Sequence, residues 1–148
     1  RTPLLVYLPG GKHGDVDEMV QNIDYAPTIL ELAGVKIPSD IQGESFLPLL
    51  EGKKVKDWRK SLYYHYYEYP AEHSVCKHYG VRTDRYSLIH FYDDVNAWEL
   101  YDLKNDPEQM HNIYGEKGTE KITKKLKKEL HKLQNQYDDP IRFKLKDN

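Results

Sequence analysis

Four residues in one stretch carry side chains able to bind a metal or a polar ligand: His65, His73, Cys76 and His78. Imidazole and thiolate together suggest zinc, but zinc sites show tight pairs such as C-x-x-C or H-x-x-x-H. This stretch has neither. Cys76 and His78 stand two apart, which on a strand puts both on one face yet supplies only two ligands. The preferred reading is a small buried thiol beside an unrelated histidine. As the only cysteine, Cys76 excludes an internal disulfide and does not report the compartment.

Arg82 and Arg85 could each hold a carboxylate or a sulfate through a bidentate fork. The plainer expectation is that Arg82 pairs with an acidic neighbour within a sheet and Arg85 is solvated. The run Tyr63-Tyr64-His65-Tyr66-Tyr67-Glu68-Tyr69 could stack sugars, but alternation along a strand turns half of these rings toward a core.

Such residues need a scaffold, and 148 residues are enough for one domain or one domain with an attached piece. The 39% hydrophobic and 31% charged content describes a soluble protein, with no apolar run near the roughly 20 residues of a spanning helix. The chain opens into Leu4-Leu5-Val6-Tyr7-Leu8 without a starting Met or the flanks of a signal peptide, and so reads as part of a longer protein. Formal charge is near neutral but unevenly spread. Residues 61–116 hold 4 Lys/Arg and 10 Asp/Glu, whereas residues 117–148 hold 10 and 5. A lysine-rich helix beside an aromatic sheet is one footprint of RNA binding, but so acidic a sheet would repel a phosphate backbone, so no nucleic acid is expected.

Residues 4–8 are continuously apolar between Pro3 and Pro9-Gly10-Gly11, which predicts a strand buried on both faces of a mostly parallel sheet. Residues 22–34 predict a short helix with Asp24 as N-cap, Pro27 in its first turn, Ala26, Ile29, Leu30 and Ala33 on one face, and Gly34 as a left-handed C-cap. Residues 35–50, broken by Pro38, Gly43 and Pro48, form an irregular wrapping segment. A boundary falls in residues 51–60. Beyond it, residues 61–69, 79–83, 86–92 and 98–103 read as four short strands, with Thr83-Asp84-Arg85 as a hairpin tip. Ile122, Leu126, Leu130, Leu133 and Tyr137 then recur at helical spacing, with Thr119 as N-cap and Asp138-Asp139-Pro140 as the stop. The tail to Asn148 is expected along the surface.

In order, Arg1-Thr2-Pro3-Leu4-Leu5-Val6, Asn22-Ile23-Asp24-Tyr25-Ala26-Pro27-Thr28-Ile29-Leu30-Glu31-Leu32-Ala33-Gly34 and Gln42-Gly43-Glu44-Ser45 resemble the C-terminal third of the type I, formylglycine-dependent sulfatases. The stretches His78-Tyr79-Gly80-Val81-Arg82-Thr83-Asp84-Arg85-Tyr86-Ser87-Leu88-Ile89-His90 and Trp98-Glu99-Leu100-Tyr101-Asp102-Leu103 look like that family's C-terminal sheet. Asp106-Pro107-Glu108 looks like the turn after it. The likeness is greatest to carbohydrate sulfatases of the N-acetylglucosamine-6-sulfatase or heparan sulfatase kind.

That resemblance implies an α/β fold, α+β in its C-terminal part. Residues 1–50 would be the closing strand and helix of an alkaline-phosphatase-like catalytic domain. Residues 51–148 would be a small subdomain, a four-stranded antiparallel sheet packed by a C-terminal helix. It also implies sulfate-ester hydrolysis, on glycosaminoglycan-type sugars, by a calcium ion and a formylglycine made in a Cys/Ser-x-Pro-x-Arg motif. The motif is absent here: Cys76 is followed by Lys77-His78-Tyr79-Gly80, and neither Ser39 nor Ser45 fits. Nucleophile and metal ligands are therefore expected in a missing N-terminal catalytic region, and this segment alone is expected to be inactive. What it would supply is contact with a sulfated carbohydrate, with His78 the first candidate; the plainer alternative is a structural histidine bonded to the backbone. The family further implies a periplasmic or secreted location. The rival readings are a non-catalytic carbohydrate-binding module and a phosphoryl-transfer relative of the same superfold.

Overall fold

A computed structural model of the chain describes residues 3–11, 13–93 and 95–142. Two compact units form, Arg1–Arg59 and Lys60–Asn148. The first residues of the N-terminal motif, Arg1 and Thr2, and the end of the expected tail, residues 143–148, lie outside the described residues.

In the first unit the apolar run at residues 4–8 forms no strand, against expectation. Leu5 is 94% exposed and Tyr7 84%. A strand buried on both faces needs ladder partners and cover on each side, and among the described residues no strand pairs with it. A 3-10 turn, Asn22–Asp24, leads into α1, Tyr25–Leu32. Gly34 closes α1 at φ +66, with Val35 N–H donating to the Leu30 carbonyl and Gly34 N–H to that of Glu31. That is the two-bond cap that favours glycine, because a Cβ is strained at such a φ.

The buried face of α1 differs from the one the apolar spacing predicts. Pro27 and Thr28 are buried, while Ala26, Ile29 and Ala33 are exposed. The cause is polar. Thr28 Oγ1 donates to the Asp24 carbonyl at 2.6 Å and accepts the Phe46 N–H at 3.0 Å, pinning this side of α1 inward. Asp24 stands at the N-cap position, but its carboxylate makes no cap to α1. It accepts instead the N–H of Gln21 at 2.7 Å and of Glu44 at 2.9 Å. Arg59 completes the hub with a two-pronged pair at 2.5 and 2.9 Å. Gly43 lies so close that a Cβ there would stand 1.9 Å from the Ile23 carbonyl oxygen. The irregular segment holds one short helix, α2, Leu47–Leu50, with Phe46 and Leu49 buried.

The second unit is a meander of β1, Ser61–Tyr66, β2, His78–Thr83, β3, Tyr86–Phe91, and β4, Ala97–Asp102, followed by α3, Glu120–Gln136. Every neighbouring pair is antiparallel. Register aligns Tyr63, Val81, Leu88 and Leu100 in one row across the sheet. This face meets Leu126, Leu130 and Leu133 of α3 in one apolar core, with Tyr79 and Tyr92 beside them. The next row, Tyr64, Gly80, Ile89 and Glu99, points to the opposite face because side chains alternate. Gly80 is glycine for a packing reason: a Cβ there would lie 2.5 Å from the Tyr64 hydroxyl.

Candidate substrate-facing site

His78 opens β2 on the face that α3 does not cover. Register places Tyr66 and Phe91 on either side of it. The Tyr66 ring stacks on the imidazole at 5.5 Å between centroids, Tyr64 meets it edge-on at 6.0 Å, and Phe91 lies at 5.2 Å. Its Nδ1 lies 2.8 Å from the Cys76 carbonyl oxygen. A carbonyl only accepts, so Nδ1 carries the proton and Nε2 of the neutral ring is an acceptor. Among the described residues Nε2 has no hydrogen-bond partner. The backbone bond expected of a structural histidine is therefore present, and it fixes the tautomer that leaves the other nitrogen available. Beside it the Tyr66 hydroxyl is buried with no partner among the described residues.

The structure separates the four residues first considered as a cluster. His65 sits in β1 on the α3 side of the sheet, His78 on the other, and His73 is exposed in the loop between. Among the described residues no three His, Cys, Asp or Glu side chains are placed to hold a metal ion. Asp24, the most buried carboxylate, already spends both oxygens on Arg59 and two backbone N–H groups. With no formylglycine motif in the sequence either, the described residues of this chain do not fit a calcium ion or a formylglycine.

The arginines reverse the expectation. Arg85 is the paired one, with a fork to Asp102 at 3.1 and 2.8 Å that holds the Asp102 carboxyl below its ordinary range. Arg82 makes no ion pair among the described residues and lies half-buried on the open face near Tyr64. The cause is register: Asp102 sits across from Tyr86, next to the tip that carries Arg85, whereas Arg82 is opposite Ser87 and Leu62.

Two further groups were not legible in the sequence. On the α3 face, Asp139 lies 2.6 Å from His65 Nδ1 and accepts the Tyr63 hydroxyl at 2.5 Å, while His65 Nε2 lies 2.7 Å from the Tyr92 hydroxyl. Burial alone would raise the Asp139 carboxyl, but the Tyr63, His65 and Ile141 hydrogen bonds outweigh it and hold the group low. Burial and the Asp139 hydrogen bond push the Tyr63 phenol up. Nearby, His90 lies 2.7 Å from the Tyr79 hydroxyl and stacks on Trp98 at 4.1 Å; burial lowers its pKa. The second group is a groove of about 490 Å³ lined by Tyr69, Pro70, Cys76, Lys77, Tyr92, Asp93 and Val95. Its lining comes both from the segment between β1 and β2 and from the loop after β3, so no single stretch of sequence announces it.

Residues 1–136 match the family described as N-sulphoglucosamine sulphohydrolase, C-terminal. The chain belongs to this sulfatase C-terminal family. Within the sulfatases it is 52% identical to an N-acetylglucosamine-6-O-sulfatase of Bacteroides thetaiotaomicron, over 94% of this chain and 26% of that protein. It is 31% identical to human arylsulfatase K, over 90% of this chain and 25% of that one. The chain thus spans about a quarter of the length of each of these two relatives. Among solved structures it resembles a protein bound to its substrate D-glucosamine-2-N,6-O-disulfate, at TM-score 0.76 and 55% identity, over 79% of this chain and 24% of that one. A phosphonate monoester hydrolase from Silicibacter pomeroyi, at TM-score 0.77 and 24% identity over 90% of this chain and 29% of that one, shares the fold. The sulfatase family and the mixed α/β fold inferred from the motifs are thereby shown. No helix among the described residues is long and apolar enough to cross a membrane.

Proposed function

We propose that this chain is the C-terminal, substrate-facing part of an enzyme that hydrolyses sulfate esters on glycosaminoglycan-type sugars. The observation that carries the reading is the 52% identity to an N-acetylglucosamine-6-O-sulfatase over 94% of this chain. Residues 1–50 are the C-terminal edge of the catalytic α/β domain, and residues 51–148 are the small subdomain. The calcium ion and formylglycine that supply the bond-breaking chemistry belong to the region preceding this chain, in a periplasmic or secreted protein.

Within that enzyme the role of His78 is to bind and orient the sugar. Its Nδ1–H is held by the Cys76 carbonyl, so Nε2 accepts a sugar hydroxyl when neutral and donates to an anionic group when protonated. Tyr66 and Phe91 fix the plane of the ring, which limits the entropy lost on binding.

The test is release of inorganic sulfate from 6-sulfated N-acetylglucosamine by the whole protein that carries this chain, alongside a phosphonate monoester. Turnover of the sulfated sugar is expected. Turnover of the phosphonate with none of the sulfated sugar would contradict the reading and favour the phosphoryl-transfer rival.

A further inference from the structure

Resting on that reading, we propose that the outer face of α3 is a second binding surface, which holds a sulfated polysaccharide chain by its charges at a distance from the site where the ester is cleaved. The two surfaces are separate, because His78 lies on the face of the sheet that α3 does not cover.

Helix geometry makes the surface. With about 3.6 residues per turn, Leu126, Leu130 and Leu133 direct one side of α3 into the core, and Lys121, Lys124, Lys125, Lys128 and Lys132 fall within one arc of about 100° on the opposite side. All five lysines are exposed. Along the axis they span about 16 Å, so every turn of that stretch carries a cation. The two carboxylates of α3 lie outside the arc and are engaged: Glu120 accepts the Gly118 N–H at 3.0 Å, and Glu129 accepts the Ser61 hydroxyl at 2.8 Å and meets Lys132 at 3.5 Å.

The fold does not use the row. Lys121, Lys124, Lys125 and Lys128 make no ion pair among the described residues. Lys127, which lies off the arc, is the contrast. Its ammonium stands 4.0 Å over the Trp98 ring and donates to the Tyr114 hydroxyl at 2.7 Å. Like charges four apart on a helix are destabilising, so Lys121 with Lys125 and Lys124 with Lys128 oppose folding where a polyanion would relieve them.

Chemistry selects the occupant. A row of ammonium groups attracts a polymer that carries negative charge along its length. An anionic membrane would need an apolar face beside the charges, and that of α3 is in the core. Single-stranded nucleic acid is held by aromatic rings as well as charge, and the arc has none. A sulfated polysaccharide needs only the charges, and it matches the proposed substrate. The acidic sheet does not oppose it there, because α3, about 10 Å thick, separates them by more than the roughly 8 Å screening length at physiological salt.

The experiment titrates the whole protein with heparin, comparing wild type with the combined variant Lys121→Gln, Lys124→Gln, Lys125→Gln and Lys128→Gln. Glutamine keeps the helix propensity of lysine, so α3 is expected to fold as before. At physiological salt the variant should bind heparin about tenfold or more weakly and with a shallower salt dependence, while kcat/KM on 6-sulfated N-acetylglucosamine stays unchanged. Equal heparin affinity in the two proteins would overturn the surface, and a parallel fall in kcat/KM on the monosaccharide would deny that it is separate from the cleavage site. Tighter binding of single-stranded RNA or of phosphatidylserine vesicles than of heparin, lost in the same variant, would assign the face to another partner and also overturn the proposal. Failure of wild type to release sulfate from the monosaccharide would overturn the sulfatase reading, an outcome the heparin titration does not register.

Discussion

The two units hold together by different means. The second buries Tyr79, Val81, Leu88, Leu100 and Leu130 to 1% exposure or less in one core between sheet and helix. The first buries few apolar side chains and leaves Leu5, Tyr7, Ile29, Leu32 and Val35 about half exposed or more. Its order rests on Asp24, a carboxylate at 0% exposure bound by Arg59 and two backbone N–H groups. The difference teaches that a sheet with a helix across it closes its own core, whereas one helix and its loops close theirs only around a polar hub.

Several substitutions would sharpen or break that contrast. The largest effect is expected for Arg59→Met, which strands the Asp24 charge and costs about 3–5 kcal/mol. Amide exchange should rise through residues 21–59 while the core of the second unit keeps its protection; equal loosening of both would contradict the hub. Leu130→Ala comes next, at about 3 kcal/mol in denaturant unfolding of the second unit, against under about 0.5 kcal/mol for Leu32→Ala in the first. Comparable losses at the two leucines would erase the distinction. Gly43→Ala should cost about 1–3 kcal/mol, because a methyl cannot occupy the space beside the Ile23 backbone.

The smallest effect is in pH. His90 is held below its ordinary value of 6.5 by burial, so the folded second unit binds fewer protons there than the unfolded chain. Its contribution is complete above pH 6.5 and is lost as pH falls through the lower folded value. Asp139 is likewise depressed from 3.8, so its contribution is present above that value and is lost on further acidification. A Tm-against-pH curve should fall in two limbs, the first reduced by His90→Asn and the second by Asp139→Asn. A curve unmoved by both replacements would show that these buried groups do not set the acid limit.

Legibility follows the same division. Aromatic and β-branched stretches bounded by turn residues, and three- and four-residue spacing in Leu126, Leu130 and Leu133, are local signals, so sheet and helix could be read directly. The Asp24–Arg59 pair spans 35 positions and the His65–Asp139 pair 74, and no local pattern announces either. The same limit bears on residues 4–8: their apolar run encodes a strand only where other strands pair with it, and among the described residues none does. For the site, the motif singled out His78, but its fixed tautomer and its Tyr66 and Phe91 neighbours depend on segments that meet only in three dimensions.

The central claim is that His78 contacts substrate rather than merely tying down the loop before β2. The direct test is His78→Ala in the whole protein, with kcat/KM measured on a 6-sulfated sugar and on a small aryl sulfate. A contact predicts that the sugar-to-aryl ratio falls about tenfold or more. Equal loss on both substrates would make His78 a structural residue and contradict the account.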